Sequence, residues 1–360
     1  MMDAQRVEEW YATGLYVYIS KVLQLLLGWL PFSVGDILYI AAIVYIIFKL
    51  HKSFKRPILQ TLNRLFIVLS IVWLAFHVLW GFNYYRTSIP EQFNLDRGEV
   101  KKEEIMAFAD FTLNEANKYS AVRISQYHPS LVRQGGLGAP PILGGEYSSA
   151  QPATAGKPST HNSQLITHNP PRRTGPQPAT AGKPTTRQSW QAVKPSLFGI
   201  IGNYMGYGGY YNPFTGEAQI NSYMPEFMLP YITVHEAAHQ KGYAKESEAN
   251  FIGYIDAMES GDSALLYSAN LEMFLFANRA LRRFDTTMAR QNMEKLSPRI
   301  KKDLADYKVF AEKYYGPVDK FVTWFYGGFL NLNNQPEGMM SYNKGMFYTM
   351  RYLKKLTVNR

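Results

Sequence analysis

The run His235-Glu236-Ala237-Ala238-His239 carries the strongest chemical signal in this chain. On a helix, residues i and i+4 project from one face, so both imidazoles can reach a single metal ion. Glu236 sits one step round the helix, close enough to act on a water bound to that metal. Two histidine ligands with a glutamate as general base form the zincin arrangement, which hydrolyses peptide bonds. The motif therefore predicts a Zn2+ cofactor, His235 and His239 as ligands, and Glu236 as the catalytic base.

Catalytic zinc usually takes three protein ligands and leaves one position for water. The remaining histidines are at 51, 77, 128, 161 and 168. Two of these fall in or beside apolar segments and two in a low-complexity stretch. The chain has no cysteine, which excludes a thiolate ligand, a cysteine nucleophile and disulfides alike. A carboxylate is thus expected as the third ligand. Glu246 is preferred, because a tight turn at Gly242 returns the chain past the metal and the next helix opens there. Glu248 is the alternative. Residues two apart on a helix differ by about 200° in phase, so the two glutamates should not both face the metal.

These residues need elements to hold them. The apolar approach Tyr231 to Val234, Pro230 near the start and Gly242 after the end predict a buried metal helix over 229–241. Further helices are predicted over 101–119, 245–258, 263–283, 298–315, 317–332 and 341–356. Gly206 to Asn221 alternates aromatic and polar residues around Asn212-Pro213-Phe214-Thr215-Gly216, which predicts a hairpin. Such a hairpin beside the metal could hold a substrate backbone by strand addition. Tyr342 is a candidate donor to the oxyanion of the reaction.

Upstream lie three apolar segments, roughly 13–32, 35–49 and 65–83, read as membrane spans. Merging the first two into one is the alternative. Leu65 to Asn83 carries no formal charge over its length, and about 20 apolar residues suffice to cross a bilayer. His77 within it is read as a neutral residue facing another helix. Residues 49–64 contain Lys49, Lys52, Lys55, Arg56 and Arg64 and no acid, so this loop is expected in the cytoplasm and the chain after Asn83 outside it.

Residues 134–195 are rich in Gly, Pro, Ser, Thr, Gln and Ala and repeat one nonapeptide, Gln151 to Ser159 and Gln177 to Thr185. This composition predicts a disordered insertion. The expected organisation is a membrane anchor over 1–83, an extracytoplasmic domain formed by 84–133 and 196–360, and the insertion between its two parts. Hydrophobic residues make up 46% of the 360 positions, yet mean hydropathy is only −0.22, which excludes a chain that is membrane throughout. The net charge of +10 is scattered rather than set in a basic–aromatic stripe, so the bilayer and a peptide or protein substrate are expected partners, and nucleic acid is not. The expected fold is α+β and mostly helical, a zincin-like metallopeptidase domain behind transmembrane helices.

Tyr211 to Glu217, the block His235 to Tyr254, and Ser341-Tyr342 together resemble domain-of-unknown-function family 3810. The likeness covers roughly 15–130 and 195–357, and its specific part is the His/Glu block. These are bacterial membrane proteins with N-terminal spans and a zinc-peptidase-like domain. The resemblance implies a peptidase-like fold at the bacterial cytoplasmic membrane with the domain in the periplasm, and no known substrate. The insertion departs from the family pattern. Glu246-Ser-Glu-Ala-Asn250 also resembles the string around the glutamate ligand of several zinc peptidase families, which implies Glu246 as ligand and Asn250 as its neighbour in support.

Three other readings share these residues. An intramembrane protease fits poorly with the charged surroundings Lys241, Lys245, Glu246 and Glu248. A structural zinc site, or an inactive peptidase fold, has no need of Glu236. A zinc hydrolase of a non-peptide bond remains open.

Overall fold

The computed structural model describes residues 3–53, 58–122, 124, 193–332 and 341–358. Among the described residues the chain is mostly helical, with one three-stranded sheet. The low-complexity stretch lies outside the described residues except for its end, where Lys194 and Pro195 form β1.

Helices α1 (Ala4–Arg6), a π-helical stretch Val7–Leu15 and α2 (Tyr16–Leu27) follow one another with helical dihedrals at each junction. After a turn come α3 (Val34–Ser53) and α4 (Ile58–Leu79). With 22 residues, α4 is long and apolar enough to cross a membrane. His77 in α4 is buried, places Nδ1 3.0 Å from the Trp73 carbonyl and packs against Trp73 and Phe76. Its surroundings are those of a packing residue.

The segment read as a first span makes polar contacts with the globular part on one side. The Tyr16 hydroxyl donates to the Gln240 carbonyl at 2.8 Å, and just before the segment Glu8 pairs with Arg86 at 2.6 Å. Lys194 Nζ donates to the Leu27 carbonyl at 2.8 Å.

Short α5 (Ile89–Gln92) leads into α6 (Lys102–Tyr119), whose apolar face, including Ile105, Phe108 and Leu113, is buried. α7 (Gly199–Met205) ends at Gly206 in the left-handed region, φ +77°. In the sheet, β3 (Glu217–Ile220) lies between parallel β1 and antiparallel β2 (Gly209–Asn212). The β2–β3 hairpin is the one expected around Asn212 to Gly216.

The helix expected to carry the metal ligands is α8 (Leu229–Gln240), with Pro230 in its first turn. Gly242 ends it at φ +84°, a conformation glycine adopts at no steric cost. The Gly242 N–H donates to the His239 carbonyl and the Tyr243 N–H to the Ala238 carbonyl, the paired bonds of a Schellman stop. α9 (Glu246–Ser260), α10 (Ser263–Leu281), α11 (Thr286–Glu294), α12 (Pro298–Tyr314), α13 (Pro317–Leu332) and α14 (Ser341–Val358) complete the fold. α11 was not expected: its sequence holds few apolar residues, and its start depends on Asp285 accepting the Met288 N–H at 2.9 Å. The core runs between α8, α9, α10 and α14 through Val234, Ala238, Phe251, Ile255, Met273 and Met346.

Candidate metal centre

α8 and α9 meet at the metal-ligand candidates. Gly253 makes the close approach possible: a Cβ there would lie 3.2 Å from the His235 backbone nitrogen. Across this contact His235 Nε2 is 3.2 Å from Glu246 Oε2, and His239 Nε2 is 3.9 Å from Glu246 Oε1. One donor atom from each of the three residues falls within 4.8 Å of the others. Ligands about 2.0–2.1 Å from a tetrahedral ion lie about 3.3 Å apart, so the observed spacings suit a small divalent cation after slight contraction.

Of the two imidazoles, His239 is in the chemical state a ligand needs. His239 Nδ1 lies 2.7 Å from the Tyr243 carbonyl, so it carries the proton and leaves the Nε2 lone pair facing Glu246. Burial drives His239 down to about 4, against the pull of Glu246. It is therefore neutral at pH 7, as a ligand must be. Burial also acts downward on His235, but the Glu246 carboxylate at hydrogen-bond distance outweighs it and the net direction is upward. Nδ1 of His235 is buried without a hydrogen-bond partner.

Glu236 does not join this cluster. Burial raises it to about 8, opposed by the His235 ring and reinforced by Glu246. Its Oε2 is buried and has no hydrogen-bond partner. A buried carboxylate of raised basicity beside a candidate metal site has the properties of a general base. It lies directly against β2: a Cβ added at Gly209 would stand 2.7 Å from Glu236 Oε1 and from the Gln219 carbonyl oxygen. The Gly209→Ala variant is accordingly expected to shift Glu236 and to cost about 1–3 kcal/mol by overpacking, while leaving the three ligand candidates in place. Thermal unfolding and bound metal, measured together, check this.

The sequence alternatives separate here. Glu246 faces both histidines, whereas Glu248 is buried with Lys245 Nζ at 3.5 Å and Arg86 close by. Asn250 lies beside His235, and Tyr231 donates its hydroxyl to the Asn250 backbone carbonyl at 3.0 Å and stands 3.3 Å from its Oδ1. Tyr342 is in the first turn of α14, but its side chain lies outside the described residues.

Four contributors were not read from the sequence. The carbonyls at the end of α8 have no partners within the helix. Trp80 Nε1 donates to the His239 carbonyl at 3.3 Å, Tyr16 to that of Gln240, and Arg86 Nη1 to that of Gly242 at 3.1 Å. Elements far upstream thus clamp the end of the metal helix. Their proximity has no periodic signature in the sequence. The fourth, Glu272, faces His235 and Tyr231 from α10. It is the sole acid in that apolar helix, a signal that was present in the sequence.

No curated protein and no solved structure gives a match to this chain. Residues 11–348 match the family described as "Protein of unknown function (DUF3810)", and the chain belongs to that family.

Proposed function

We propose that this protein is a membrane-anchored zinc metallopeptidase. The observation that carries the reading is the convergence of His235, His239 and Glu246 beside the unpartnered, buried carboxylate of Glu236. His235, His239 and Glu246 would hold the ion. Zinc bound there would polarise a substrate carbonyl and bring the pKa of a water from 15.7 toward about 7. Glu236 takes the proton of the attacking water and passes it to the leaving amine. β2, an outer strand of the sheet lying against Glu236, offers backbone groups along which an extended peptide can align.

Two features favour this over a structural metal. Structural zinc sites are closed by four protein ligands, and three gather among the described residues. A structural site also gives no role to Glu236. The anchor is read in the N-terminal apolar segments, α4 among them, with the basic loop 49–64 in the cytoplasm and the metal centre on the opposite side.

The test uses the full-length chain purified in detergent. One zinc per chain by elemental analysis, with cleavage of a mixed peptide library, is the expected result. His235→Ala and His239→Ala should each lose the zinc, because two ligands do not retain a catalytic ion. Unchanged zinc in both variants would sink the assignment. Zinc without cleavage of any peptide would move the reading to hydrolysis of another bond.

A further inference from the structure

We propose that residues Ala4–Leu27 do not cross the membrane but lie along its surface, wedged between lipid and the globular part. Only α3 and α4 would then span the bilayer. The inference rests on the anchoring part of the functional reading and is independent of the peptidase chemistry.

One face of this helical rod is committed to the globular part along its length. Near its start Glu8 pairs with Arg86, whose guanidinium also binds the Gly242 carbonyl. In the middle Tyr16 reaches Gln240 and lies 3.1 Å from the Tyr211 hydroxyl. Further on, Leu23 packs against Gly216, where an added Cβ would meet it at 3.1 Å. At the end the Leu27 carbonyl accepts from Lys194. From Glu8 to Leu27 these contacts extend over about 30 Å at 1.5 Å per residue. Their partners are a guanidinium, an ammonium and the end of the metal helix, which lipid could not surround. A segment bound to them throughout cannot stand among acyl chains.

The opposite face has the character of a lipid contact. Leu15, Tyr18, Val22, Leu25 and Leu26 recur at helical spacing, Trp29 follows in the turn after α2, and each is at least half exposed. A surface helix with one docked face and one apolar face carrying Tyr and Trp suits the headgroup region. Lys21 is exposed on this helix, and its long stem allows the ammonium to reach the headgroups.

A second apolar area continues from the start of a span. The Leu197 N–H donates to Asp36 in the first turn of α3 at 2.6 Å. Beyond it Ile200, Ile201 and Tyr204 are exposed on α7, and Phe321, Trp324 and Phe325 on the adjoining α13. This continuity with α3 assigns the same lipid as occupant. Trp80, one residue past the end of α4, binds the His239 carbonyl, so the candidate metal centre lies close to the bilayer surface. Ala4 and the globular part then share one side of the membrane, whereas three spans would put them on opposite sides.

The absence of cysteine makes the test direct. Single cysteines replace Gln5, Lys55 and Lys301 in the full-length chain, and intact cells are treated with a membrane-impermeant maleimide. Gln5→Cys and Lys301→Cys should label alike from outside, and Lys55→Cys should label only after permeabilisation. In liposomes of phosphatidylethanolamine and phosphatidylglycerol, spin labels at Leu25 and Phe325 should collide with oxygen more than with a water-soluble nickel chelate. Their depth should be shallower than that of a label at Val68 in α4. Gln5→Cys labelling together with Lys55→Cys would overturn the proposal in favour of three spans. So would a Leu25 label as deep as Val68, one reached by nickel, or one shielded from both probes by a second copy. A Val68 label in water would overturn the anchoring reading itself, so the two failures are distinguishable.

Discussion

Replacing Glu236 by Gln should leave one zinc per chain bound and lower peptide turnover by about 10²–10⁴-fold, the usual contribution of a positioned general base. The amide keeps the size of the side chain and its fit against Gly209 but cannot take a proton. Its Oε2 has no hydrogen-bond partner, so the substitution breaks no bond within the protein. Glu246→Ala should behave in the opposite way, weakening zinc binding because it removes the carboxylate facing both His235 and His239. Glu248→Ala should leave metal content unchanged, since that side chain faces Lys245 and Arg86. Zinc stoichiometry, zinc affinity and turnover measured in parallel separate the roles. Loss of zinc in Glu236→Gln alone would show that Glu236 is a ligand. Loss in Glu248→Ala but not in Glu246→Ala would exchange the two glutamates.

The largest stability effect is expected at Glu217. Its carboxylate accepts from Lys194 Nζ at 2.6 Å, from the Val34 N–H at 3.1 Å and from the Gly35 N–H at 2.7 Å. Both members of the ion pair are 3% exposed. One side chain therefore neutralises a buried ammonium and caps the first amides of α3, where the helix dipole favours an anion. Glu217→Ala leaves the ammonium buried with only the Leu27 and Phe32 carbonyls, and should cost about 3–5 kcal/mol. The double variant Lys194→Met/Glu217→Leu should recover much of that loss, because it removes the charge together with its partner. The measurement is the thermal unfolding midpoint of the full-length chain in detergent. A midpoint is preferable to an extrapolated free energy for a chain with several packed parts. An equal fall in the single and double variants would show that the uncompensated charge is not the cause. The same pair joins α2 and the start of α3 to the hairpin that lies against Glu236, so turnover should fall with stability in the single variant.

Much of the candidate metal centre is local, and this is why its residues could be proposed from the sequence. His235, Glu236 and His239 occupy one helix whose period alone orients them. Pro230 and Gly242 mark its ends by backbone chemistry that acts over a few residues. Glu246 follows seven residues after His239, and the turn that returns it is set by Gly242. The amphipathic helices α6 and α10 and the β2–β3 hairpin were readable for the same reason: periodicity and turn residues act at short range. Between Glu246 and Glu248 the sequence expressed a preference, and the tertiary packing of α9 on α8 at Gly253 separated them, one toward the histidines and the other toward Lys245. The apolar run 13–32 illustrates the limit. Apart from Lys21 and Gln24 its composition suits lipid, and nothing local indicates that Tyr16 meets Gln240 or that Glu8, just upstream, meets Arg86. Those pairs are separated by 224 and 78 residues. The environment of such a segment is decided by which surface covers each face, and only the folded chain supplies that surface.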